Sequence, residues 1–159
     1  SVGSWRRRGL GGLEGWSEQS LAAVVDVALM AQRVLLAAES VGLGGVFIGG
    51  IRNDPQVVAD QLDLPELVMP VFGMCLGWPV ADPEVKPRMP VDLVLRQDSY
   101  RDPGDERVEA YDLTVSEYYG ARGQGAKIGD WSGATANAVQ GKKRVHMLAF
   151  MRRRGFFLR

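Results

Sequence analysis

The chain has 159 residues, of which 46% are hydrophobic and 24% charged. That is enough apolar material for one folded domain and too much for a disordered segment. Lys+Arg and Asp+Glu both number 19 and the formal net charge is +0, so charge gives no reason to expect a nucleic-acid partner. A single cysteine, Cys75, cannot form an internal disulfide and fits a reducing compartment; with only one histidine beside it, no metal-ligand cluster is read.

Residues 1–16 read as a flexible surface arm, basic at Arg6, Arg7 and Arg8 and interrupted by Gly9, Gly11, Gly12 and Gly15. Trp5 to Arg8 runs into glycines rather than an apolar stretch, so no secretory leader is expected. Residues 17–159 read as a single folded body. Ser17 is placed as a helix N-cap, with Glu18 in the first turn where the helix dipole favours an anion. Leu21, Val24, Val25, Ala28, Leu29, Leu35 and Leu36 recur at helical spacing, and the remaining faces are also mostly apolar. Such a helix is expected to be buried on all sides. A membrane span is the rival reading, opposed by Asp26 and Arg33, each costing roughly 2.5–3.5 kcal/mol at the centre of a span. A central helix, covered by its own sheet and by a second subunit, is preferred. Gly42 is its stop.

A strand, Val46 to Ile48, follows between Gly44-Gly45 and Gly49-Gly50. Paired glycines on both sides of a buried strand let main chain come close to something, either a neighbouring helix or a flat ligand. Asp54-Pro55 starts a short helix, cap and then proline. Val71 to Gly77 reads as a buried strand with Cys75 as a small core residue. Residues 78–90 carry four prolines, so the segment is extended and stiff. Lys86 and Arg88, two apart, fall on one side of it, a pattern suited either to ordinary solvation or to a phosphate. A helix is expected over Glu106 to Ala121, a flexible loop over Gly120 to Asp130 and a last helix over Arg144 to Arg154 with Gly155 as its stop. His146 reads as a surface residue.

Nucleophile-elbow, zinc and phosphate-loop motifs are missing. The glycines at 42, 44 and 45 follow a helix and open a strand, the reverse of a dinucleotide fingerprint. The stretches VVDVALMAQRVLLAAESVGLGGVFIGGIRNDP, VMPVFGMCLGWPVADPEVKPRMP and SEYYGARG with DWS resemble the C-terminal two thirds of the oxygen-insensitive NADPH-dependent nitroreductase and flavin reductase family. The resemblance implies an α+β nitroreductase-like fold: a small mixed sheet flanked by helices, with the long central helix at the interface of a homodimer. It implies FMN as cofactor and NADPH as co-substrate, with two electrons passing to nitroaromatics, quinones or free flavin. No membrane is involved, and a cytoplasmic location is implied.

By the same resemblance, Phe47, Ile48, Gly49 and Gly50 lie along the flavin ring, and a backbone N–H, that of Gly49, faces flavin N5. Lys86 and Arg88 hold the phosphate and ribityl oxygens, Arg122 meets NADPH, and Glu18 and Arg144 lie near the substrate pocket. No side-chain acid or base is needed. The family's N-terminal His-x-Ser-x-Arg segment has no match in residues 1–16, so weaker or absent FMN binding by this polypeptide alone is expected. The alternatives are a non-catalytic dimerising fragment and a flavin reductase that feeds reduced FMN to a monooxygenase.

Overall fold

A computed structural model of the protein describes residues 8–9, 15–81, 83–122, 129–141 and 143–159. In chain order the elements are α1 (Ser17–Ser40), β1 (Gly44–Ile48), a 3-10 turn (Gly49–Asn53), α2 (Pro55–Gln61), β2 (Gly73–Gly77), α3 (Val91–Val94), α4 (Asp105–Ala121), α5 (Trp131–Gly141) and α6 (Met147–Arg153). They fall into two compact units, residues 1–81 with 144–159, and residues 82–143. Arg6 and Arg7 of the arm, and loop residues 123–128 with Lys127, lie outside the described residues.

In the first unit β1 and β2 pair antiparallel, Val46 opposite Cys75 and Phe47 opposite Met74. The expected mixed sheet is thus, among the described residues, one antiparallel pair in an α+β arrangement. Helix α1 lies on this pair. Ser20, Ala31 and Ala38 are buried, with Val24 and Leu35 half-buried between them. These positions recur every three, four or seven residues and so share one helix face.

The other faces of α1 are open: Leu21, Leu29, Met30 and Leu36 are 56–64% exposed. Burial on all sides is therefore not what the described residues supply, because the two-stranded sheet among them covers one stripe. By length and composition alone α1 would pass for a membrane-spanning segment. The strands are likewise less buried than expected; Val46 is 53% exposed and Cys75 is exposed rather than a core residue.

Local chemistry explains most element ends. Helix α1 closes with Gly42 at φ +85, its N–H bonded to the Glu39 carbonyl and that of Leu43 to the Ala38 carbonyl. This pair of bonds is a Schellman closure, and only glycine takes that φ without strain. Gly155 at φ +88 closes α6 the same way, through Arg152 and Met151. Asp54 caps α2 by accepting the Val57 N–H, and Pro55 stands at the first helical position. Ser17 departs from expectation. It is the first helical residue rather than the cap, and its hydroxyl donates to the Arg159 carbonyl at 2.7 Å. The C-terminal tail is tied to the start of α1 by that bond and by the Phe157 N–H donating to Ser20 Oγ.

Helix α6 packs on α2, and Phe150, 1% exposed, is the most deeply buried large side chain described. Arg154 donates to the carbonyls of Leu64, Pro65 and Val68, pinning the connection between α2 and β2.

The second unit is smaller. Leu93, Tyr111 and Val115 form its core, with Met89 and Tyr119 against them. Arg96 donates to the carbonyls of Asp92, Leu93 and Arg101, knotting the segment after α3. Helix α5, unforeseen in the sequence, is set by two carboxylates: Asp130 accepts the Gly133 N–H and Asp112 of α4 accepts the Ser132 N–H.

Candidate functional site

The glycines that bracket β1 serve different neighbours. A Cβ on Gly45 would sit 2.4 Å from Leu35 Cδ1 and 2.8 Å from Leu76 Cδ2. Gly45 is therefore glycine because α1 crosses the strand there. At Gly49 a Cβ would meet the Arg52 guanidinium at 3.0 Å, within the turn itself. At Gly50 the nearest atom is Ile48 Cγ2 at 3.9 Å, so the space beside Gly50 is open.

Residues 49–53 form a 3-10 turn rather than a continuing strand. It borders a recess of about 380 Å³ lined by Ala28, Gln32, Phe47, Gly49, Arg52 and Phe72. The Phe47 and Phe72 rings meet edge to face at 5.3 Å, an arrangement aromatic pairs favour. The Arg52 guanidinium donates to the Val71 carbonyl and so bridges the turn to the segment before β2. The recess joins two aromatic rings and two small residues with one amide and one cation at its edge, a composition suited to a planar ligand with a polar rim.

Arg144 reaches the same turn, donating from Nε to Asn53 Oδ1 at 3.1 Å and from Nη2 to the Gly49 carbonyl at 3.3 Å. His146 Nε2 lies 3.0 Å from the Arg52 carbonyl. Phe47, Ile48, Gly49, Gly50 and Arg144 are thus gathered by the fold. Glu18 is not with them; it is exposed in the first turn of α1, ten residues and about 15 Å of helix rise before Ala28. His146 was passed over as a surface residue. It is exposed, and its ring is linked to a carbonyl 94 positions back along the chain, which no local pattern signals.

In the second unit Lys86 and Arg88 are exposed while Pro87 and Met89 are half-buried, the alternation an extended segment gives. The Tyr111 hydroxyl donates to the Pro87 carbonyl at 3.1 Å and holds the segment to α4. The two cations have different neighbours. Lys86 Nζ lies 5.9 Å from the Tyr119 ring centre, whereas Arg88 borders a recess with Asp92, Arg107, Tyr111 and Thr114. Arg122 is exposed at the end of α4, 5.6 Å from the Tyr118 ring, one helical turn back.

Two family models match the chain: Nitroreductase family over residues 17–78 and Nitroreductase family, C-terminal domain, over residues 86–159. The chain is 44% identical over 146 residues to the oxygen-insensitive NADPH nitroreductase of Salmonella typhimurium, covering 91% of this chain and 60% of that protein. It is 41% identical over 140 residues to the NADPH-flavin oxidoreductase of Vibrio harveyi, covering 88% and 58%. Among solved structures it is similar to the NfrA1 nitroreductase of Bacillus subtilis, with a TM-score of 0.92 and 32% identity over 99% of this chain and 66% of the other. It is also similar to the Vibrio harveyi NADPH:FMN oxidoreductase complexed with NAD+, at a TM-score of 0.82 and 38% identity over 93% and 60%. The chain therefore spans about 60% of the length of the curated relatives it matches.

Proposed function

This chain belongs to the nitroreductase family, and we propose that it carries the greater part of an FMN-dependent NADPH oxidoreductase acting on nitroaromatics, quinones or free flavin. The observation that supports this most is the recess beside the 49–53 turn, where two phenylalanines and a glycine-edged main chain line one apolar space. Relatives named as NADPH nitroreductase and NADPH-flavin oxidoreductase support the same reading.

Bound FMN would supply a two-electron carrier between NADPH and the acceptor. The protein's part is to hold and orient. Phe47 and Phe72 give the ring apolar contact, and the open side of Gly50 lets it lie against main chain. The Gly49 N–H would be the donor to the bound ring. Lys86 and Arg88 serve the phosphate and ribityl oxygens, and Arg122 the 2′-phosphate of NADPH, where a planar guanidinium is well matched. Arg144 and Glu18 belong to the substrate pocket, Glu18 through a partner subunit. That partner is a second copy seated on the apolar face of α1, whose Leu21, Leu29, Met30 and Leu36 are exposed among the described residues. The same exposed face supports the second reading, a dimerising fragment without catalysis. The location we propose is cytoplasmic.

NADPH-dependent bleaching of a nitrofuran or a quinone, with and without added FMN, separates the two. The first reading expects turnover that rises with FMN. A stable dimer with no turnover at any FMN concentration would leave the second.

A further inference from the structure

The 49–53 turn is short, and its shape does not follow from its own sequence. Two glycines open it, and neither resists other backbone conformations. Three of its polar groups, the Gly49 carbonyl, the Arg52 carbonyl and the Asn53 side chain, are instead engaged from residues more than ninety positions away. Arg144 takes the first and third and His146 the second. The segment that delivers them is itself held in an uncommon shape. Arg144 adopts φ +36, a left-handed conformation that a non-glycine residue keeps only where its surroundings impose it. The Arg144 carbonyl accepts the Met147 N–H and the His146 carbonyl accepts the Phe150 N–H, so the bend leads into α6, anchored by buried Phe150. The guanidinium and the imidazole are thereby fixed to the unit's core, and through them the turn.

We propose that Arg144 and His146 are positioning residues that clamp the carbonyl side of the 49–53 turn and so set where Gly49 and Gly50 border the recess. Neither needs to touch the ligand for this. The proposal rests on the reading that the recess takes a flavin only in its second part; the clamp itself stands without it. A fork-shaped guanidinium reaches Asn53 and Gly49 at once, which a lysine ammonium does not do with the same geometry.

The test is hydrogen exchange of the 49–53 amides in the full chain, paired with FMN titration followed by flavin fluorescence. Arg144→Ala, which removes two hydrogen bonds, is expected to speed exchange in this turn by about tenfold, and His146→Ala, which removes one, by about fivefold, with α4 unaffected. His146→Gln, which keeps a side-chain donor, is expected to restore slow exchange, and Arg144→Lys to restore it only in part. If the recess binds flavin, the alanine variants weaken FMN binding in the same order while melting at the parent temperature. Unchanged exchange at 49–53 in both alanine variants would overturn the clamp. Exchange that rises as expected in a chain that binds no FMN would keep the clamp and leave the reading of a dimerising fragment. Should an alanine variant fail to fold, His146→Gln against Arg144→Lys gives the same contrast: equal exchange in the two would overturn the fork argument.

Discussion

In the unit built from α1, the strands and α6, close packing stands beside the polar clamps of Arg144, His146 and Arg154: Gly45 lets Leu35 of α1 onto β1, and Phe150 of α6 is buried. In the unit spanning residues 82–143 the core among the described residues is three side chains, and polar groups reach main chain beside it, Arg96 to three carbonyls and Tyr111 to Pro87. The first kind of construction tolerates little added or lost volume. The second tolerates volume changes and is sensitive to loss of single donors. The contrast bears on function, because the proposed ring contacts lie in the first unit.

Substitutions can break that contrast. Phe150→Ala carries the largest expected effect, about 3–5 kcal/mol of destabilisation in thermal or urea unfolding, since the ring is 1% exposed. A loss below about 1 kcal/mol would mean that the first unit is not held by packing. Gly45→Val comes next, at about 1–3 kcal/mol from overpacking against Leu35 and Leu76. Gly50→Ala is its control, expected within about 0.5 kcal/mol of the parent, because the space beside Gly50 is open. Equal costs at the two glycines would show that the glycine pairs share one role. Tyr111→Phe keeps the ring and removes the donor to Pro87. About 1 kcal/mol is expected, with faster proteolysis near Lys86; a neutral result would remove the anchor assigned to that loop.

Signals carried by a few neighbouring residues were legible in the sequence. The stops at Gly42 and Gly155 and the start at Asp54-Pro55 are local chemistry, and each stands where it was expected. The resemblance in residues 17–131 led to the family that the models and relatives bear out. What was not legible depends on distant partners. The last helix begins at Met147 rather than Arg144 because Arg144 turns left-handed to reach Asn53 and Gly49. Ser17 lost its capping role because its hydroxyl faces Arg159. Helix α5 has no apolar stripe to announce it: among small residues, its start is fixed by Asp130 and by Asp112 of another helix. The exposure of Cys75 and of much of α1 was not legible either, because apolar composition does not say how much of a surface its own fold covers.

The most direct measurement is a nitrogen-edited NMR titration of the chain with FMN, carried to millimolar concentration so that weak binding still registers. If the recess holds the flavin ring, the amides of Phe47, Gly49 and Gly50 shift first and furthest, with Gln32 and Phe72 beside them. Shifts absent from these residues at saturating FMN, or confined to residues 82–143, would contradict the assignment of the ring to this recess.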